Sequence, residues 1–168
     1  MPRRIFIAIK PTDHIVKKVQ TMQEQLAFLP VHWVPPENLH VTLLPPWKSE
    51  NYEHALKTFS SLKIEKPKIA LTFESVQFYK PKNILWAVGR APEFLGPVIE
   101  NLRNTFQQPA DERKYLMHIT LAKHVAAELK VPEVQIDWQF VPEELTLFES
   151  LQTETGTEYK TLSSIPLT

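Results

Sequence analysis

Two short segments of this 168-residue chain share one alternation of side chains, and together they restrict the folds open to it. Leu39-His40-Val41-Thr42-Leu43 and Met117-His118-Ile119-Thr120-Leu121 both interleave polar with apolar residues. Successive side chains of a strand point to opposite faces, so each segment shows an imidazole and a hydroxyl on one face and is anchored from behind by apolar residues. The surroundings repeat as well. Phe6-Ile7-Ala8-Ile9 leads through a helical segment to the first motif, and Leu85-Trp86-Ala87-Val88 leads through another to the second. Counted from the matched alanines, Ala8 and Ala87, the histidines lie 32 and 31 residues downstream. Two such strand-helix-strand units predict two lobes related by a pseudo-twofold, each offering one histidine strand to a shared cleft.

The rest of the chain reads as strands mixed with helices. A strand is expected over residues 4–10, then a helix from Thr12 or Asp13 to about Phe28 with Ile15, Val19, Met22 and Leu26 as its apolar stripe. Strands are expected over 31–34 and 39–44, separated by Pro35-Pro36, before a helix over 51–62. Further strands follow over 68–79 and 84–89, a helix over 96–106, and a strand over 116–123. The last third is extended, over 134–140, 145–152 and 159–165, with Gly156 in a hairpin turn. This order predicts an α+β fold with antiparallel sheets lining the cleft and helices outside. With no linker visible, residues 1–168 are expected to form a single bilobal domain.

Composition removes several classes of function. There are no cysteines, which excludes disulfides, thiolate metal sites and cysteine nucleophiles and is compatible with a reducing compartment. Gly89, Gly96 and Gly156 are the only glycines and lie far apart, so no glycine-rich loop cradles a phosphate. The 19 basic and 19 acidic residues cancel, leaving no global positive field for long double-stranded nucleic acid. The apolar run Ile5 to Ile9 is too short for a signal peptide or membrane span. A cytoplasmic monomer without a membrane partner is expected.

What remains is chemistry that two imidazoles and two hydroxyls can perform. Cleaving a phosphodiester without a metal needs one group to take a proton from the attacking oxygen and another to give one to the leaving oxygen. Imidazoles do both near neutral pH. Thr42 and Thr120 can hold the nonbridging oxygens, and Lys123, at the end of the second motif, is the candidate cation that offsets developing charge. One histidine-x-threonine tripeptide would ordinarily be structural; two in matched contexts point to a working pair. No carboxylate or third histidine shares their spacing, so neither a metal nor another cofactor is expected. His14 and His54 read as solvated, His32 as a packing residue beside Trp33, and His124, next to the second motif, as a surface residue, with contact to substrate as the alternative.

These residues resemble the two-histidine phosphoesterase superfamily, and within it the RNA 2',3'-cyclic phosphodiesterases, the LigT-like group also called bacterial and archaeal 2'-5' RNA ligases. The resemblance runs through Trp33-Val34-Pro35-Pro36-Glu37-Asn38-Leu39-His40-Val41-Thr42-Leu43, through His118-Ile119-Thr120-Leu121-Ala122-Lys123, and through Leu147-Phe148-Glu149-Ser150 with Tyr159 and Leu162. It implies a bilobal fold and hydrolysis of a 2',3'-cyclic phosphate at an RNA or nucleotide end to a 2'-phosphomonoester. It also implies His118 as the group activating water and His40 as the group protonating the departing 3'-oxygen. Three positions depart from the group's pattern. Leu44-Pro45-Pro46-Trp47 replaces a Phe-Leu-Gly turn, Lys123 stands where Arg is usual, and Met117 where Pro is common. Two other readings stay open: a two-histidine enzyme for 2'-5'-linked oligonucleotides or ADP-ribose cyclic phosphate, and a module that binds nucleotides or RNA ends without turnover.

Overall fold

A computed structural model describes all 168 residues. The strands form two sheets in which every neighbouring pair is antiparallel. The first contains β1 (Arg3–Ile9), β3 (Val41–Ser49), β8 (Glu144–Thr153) and β9 (Gly156–Pro166), in the order β3-β1-β8-β9. The second contains β2 (His32–Trp33), β4 (Leu71–Tyr79), β5 (Ile84–Gly89), β6 (Met117–Lys123) and β7 (Val134–Phe140), in the order β2-β6-β5-β4-β7. Three helices, α1 (Asp13–Gln25), α2 (Tyr52–Ser60) and α3 (Leu95–Thr105), pack against them. The α+β bilobal architecture expected from the sequence is present, and no helix is long and apolar enough to cross a membrane.

The helices do not stay with the half of the chain that encodes them. α1, from the first half, packs on β7 of the second sheet, and α3, from the second half, packs on β3 of the first. His14 Nε2 lies 2.9 Å from the Gln139 carbonyl, and the Phe106 and Trp47 rings meet at 5.5 Å. The exchange lets one continuous core run beneath both sheets, with Ile7, Leu43 and Leu44 in the same cluster as Leu85, Ile119 and Leu121. α1 ends three residues sooner than the periodicity predicts. Its apolar stripe is complete at Leu26, after which a turn tucks Leu29 inside and leaves Phe28 exposed.

Register corrects the repeat. Ala8 pairs with Thr42, whereas Thr120 pairs with Trp86. The structural counterpart of Ala8 is therefore Trp86 and not Ala87, one residue away from the sequence match. The matched alanines face opposite ways. Ala8 belongs to a small cluster with Phe6 and Phe148, and Ala87 lies in the main core opposite Ile119.

A second regularity emerges from the same pairing. Ile7 opposes Leu44 while Ala8 opposes Thr42, and Leu85 opposes Ala122 while Trp86 opposes Thr120. Each histidine strand thus carries one extra residue just after its threonine, a β-bulge at Leu43-Leu44 and another at Leu121-Ala122. Both residues of each bulge are buried in the core. After a bulge the alternation is reset, so Lys123 returns to the face of His118 and Thr120, which strict alternation would deny it. Pro45 takes the equivalent place in β3. The strand also continues through Pro45-Pro46 to Ser49, beyond its expected end at residue 44. β3 is an edge strand with a bulge, a setting where proline's missing N–H breaks no ladder.

Candidate active site

His40 sits immediately before β3, just after a 3-10 turn at Pro36–Asn38. Its Nδ1 lies 2.7 Å from the carbonyl oxygen of Asn38, two residues back. His118 repeats the device, with Nδ1 at 2.9 Å from the carbonyl of Leu116. A carbonyl only accepts, so both Nδ1 atoms carry the proton and both Nε2 atoms are left for chemistry. Neither Nε2 has a protein partner, and neither is sealed from solvent. The Asn38 side chain donates in turn to the Thr157 carbonyl at 3.1 Å, which ties the turn beneath His40 to β9.

The two imidazoles stand on different aromatic beds. His40 packs against Phe6 at 5.1 Å and Tyr159 at 5.1 Å, with Phe148 at 6.3 Å. His118 lies 4.7 Å from Trp86, whose other side stacks on Tyr79 at 4.0 Å. The Trp86 Nε1 is buried without a hydrogen-bond partner. Burial holds the His40 imidazole down at about 4; the Asn38 carbonyl opposes this, and His118 and Lys123 push in the same direction as burial. His118 is also lowered by burial, against the pull of the Leu116 carbonyl, with Lys82 adding to the lowering. Both rings are therefore held toward the neutral form. His40 is also more enclosed than a residue lining open solvent would be.

Thr42 and Thr120 are half-buried, each on its histidine's face by alternation. Lys123 Nζ lies 5.8 Å from the Tyr159 ring that also touches His40. Of the five residues expected from the sequence, Thr42 lies in β3, His118, Thr120 and Lys123 lie in β6, and His40 immediately precedes β3. No group of three His, Cys, Asp or Glu side chains converges in a way that could hold a metal ion.

Several participants carry no signal in the motifs. Phe6 is legible only as the odd aromatic between Ile5 and Ile7, and Trp86 only as the residue beside the matched alanine. Tyr115 lies just before the strand expected over 116–123, and its hydroxyl donates to the Thr42 carbonyl at 2.8 Å and joins the approach to β6 directly to β3. Burial pushes the Tyr115 phenol up, so it remains a donor throughout the working pH range. Lys82 comes from a 3-10 turn at Lys80–Lys82 and has no sequence link to either histidine.

Comparison with known proteins bears on the fold. Residues 9–86 match the family model described as LigT like Phosphoesterase, a stretch that holds the first histidine motif and ends before the second. The fold is similar over its whole length to E. coli LigT complexed with 3'-AMP, at 24% identity and a TM-score of 0.82, covering 100% of this chain and 99% of that one. E. coli LigT complexed with phosphate is similar at 24% identity and a TM-score of 0.78, covering 99% and 98%. The protein TT0787 of Thermus thermophilus is similar at 23% identity and a TM-score of 0.79, covering 98% and 97%. A sequence search of curated proteins found no match. At these identities the structural likeness establishes the fold, and its coverage takes in the second motif strand that the family match does not reach.

Proposed function

From the premise of a LigT-like phosphoesterase fold, we propose that the protein hydrolyses a 2',3'-cyclic phosphate at an RNA or nucleotide end to a 2'-phosphomonoester. The observation that carries this reading is the matched pair of imidazoles, each with Nδ1–H committed to its own strand and Nε2 presented to the cleft. One neutral Nε2 takes the proton of the attacking water; one protonated Nε2 gives its proton to the departing 3'-oxygen. Thr42, Thr120 and Lys123 hold the nonbridging oxygens and offset the charge that develops on them. The 3'-AMP and phosphate held by E. coli LigT in its crystal structures favour a nucleotide substrate.

The resemblance gives His118 as the base and His40 as the acid. A general acid must start protonated, and burial holds the His40 imidazole down at about 4. The substrate resolves this. Its anionic phosphate, arriving where little water screens it, raises both imidazoles and raises the more enclosed His40 further. Because one motif comes from each sheet, the working unit is the whole chain, residues 1–168. A cytoplasmic setting fits the lack of cysteines.

The test is turnover of nucleoside 2',3'-cyclic phosphates, 2'-5'-linked dinucleotides and ADP-ribose cyclic phosphate in the presence of EDTA, with the phosphomonoester identified by phosphorus NMR. A 2'-phosphate from the cyclic nucleotides is the expected product. Turnover of only the other two classes would redirect the assignment, and binding without turnover would make the protein a recognition module. Activity that EDTA abolishes and zinc or magnesium restores would overturn the proton-transfer mechanism.

A further inference from the structure

Next to Lys123 lies a depression of about 410 Å³, and the two-histidine reaction uses none of its lining but that lysine. Its wall includes Lys82, Asn83, Lys123 and His124, with Ile84 and Val125 among its apolar residues, and no carboxylate contributes to it. Its backbone is unusual. Asn83 and His124 both adopt left-handed conformations, with φ of 51° and 56°. Side chains other than glycine's rarely accept that region, and where they do the surrounding structure must hold them there. Here the Val125 N–H donates to the Asn83 carbonyl at 2.9 Å and locks the two turns together. The His124 ring rests edge-on against His32 at 4.9 Å, on the strand that pairs with Lys123. A packing role for His32 against the core is thereby replaced by one of supporting His124.

Lys123 lies in both places: it lines the depression and, turned by the β6 bulge, reaches the Tyr159 ring that touches His40. The depression and the surroundings of His40 therefore share Lys123. Two lysines and an imidazole with no acidic neighbour suit a phosphate, and the neutral charge of the whole chain confines that attraction to this spot.

We propose that the depression formed by Lys82, Asn83, Lys123 and His124 is a second phosphate subsite, which holds the phosphate on the 5' side of the nucleoside whose 3' end is cleaved. This rests on the reading of the cleft as a nucleotide site and narrows the substrate to one with a further phosphate next to the reacting nucleoside. That phosphate is either a 5'-terminal monoester or the internucleotide diester of an RNA end.

Binding and turnover test it separately. By calorimetry, adenosine 3',5'-bisphosphate should bind at least ~10-fold tighter than 3'-AMP, and the ratio should fall below ~3-fold in Lys82→Gln and in His124→Asn. Asparagine keeps the left-handed backbone at position 124, and circular dichroism confirms that both variants are folded. In turnover, adenosine 2',3'-cyclic phosphate with a 5'-phosphate, and ApA 2',3'-cyclic phosphate with a 5'-hydroxyl, should each exceed adenosine 2',3'-cyclic phosphate in kcat/KM. The relative gain of the two tells a monoester from a diester. Equal affinities for the bisphosphate and 3'-AMP, or a preference that survives in both variants, overturns the subsite. Failure to hydrolyse any cyclic phosphate overturns the reading of the reaction instead, and a bisphosphate preference lost in the variants would still support the subsite.

Discussion

His40 and His118 are aimed by the same device but stand in different surroundings, and the difference can be measured. Replacing either with Ala should cost at least ~100-fold in turnover of a cyclic phosphate, the ordinary cost of losing a general acid or base. The double variant should be little worse than the poorer single one, since the two act as a unit. Near-normal turnover in one single variant would make that residue structural. The depressed His40 also bears on stability. Unfolding restores its ordinary affinity for protons, so between about pH 6.5 and pH 4 the unfolded chain binds the extra proton and stability falls as pH falls. His40→Gln removes this contribution. Between pH 7 and pH 4 the variant should lose about 3 kcal/mol less stability than the wild type in urea unfolding, a figure that follows from the proton linkage. Identical pH slopes would show that His40 is not held neutral.

Strand β5 works through what it lacks. A Cβ at Gly89 would land on the Thr72 carbonyl, and Gly89 pairs with Met117, immediately before His118. Gly89→Ala must push β5 away from β4, and overpacking of this kind costs about 1–3 kcal/mol. A lowered midpoint of urea unfolding, with reduced turnover from a displaced β6, is expected; an unchanged midpoint would mean that the strands separate freely there. The histidine strands themselves were legible because a half-buried strand writes its two faces into alternate residues. The bulges were not, because a bulge is a property of two paired strands. Leu121-Ala122 reads as an ordinary apolar run until Leu85 and Trp86 are set opposite it. The same limit hid the beds of Phe6, Phe148 and Tyr159 under His40 and of Trp86 under His118, since proximity across β1, β8 and β9 leaves no local pattern. The repeat was visible, but its alanine match slipped by one residue because the main core and the cleft cluster both accept alanine.

In the assembled molecule the histidines come from different sheets, and Tyr115 is a direct tie between them at the cleft. Tyr115→Phe keeps the ring and removes one hydrogen bond to the Thr42 carbonyl, which should cost about 1 kcal/mol of stability. Turnover should fall by more than that loss explains, about 10-fold, because catalysis is sensitive to the placement of reacting groups. The limbs of the pH-rate profile should stay where they are. A moved limb would mean that Tyr115 acts on the proton carriers themselves; unchanged turnover would leave it a structural bond.

The bond from each imidazole to a carbonyl two residues back has one more consequence. Bearing and range are set independently: the direction in which each ring points is written into three consecutive residues, while the gap between the rings depends on how the sheets dock. A slight rocking of one sheet against the other would alter the distance a proton must cross and leave both donors facing the same way. Substitutions deep in the core can therefore detune such a pair gradually, by spacing alone, without scrambling it.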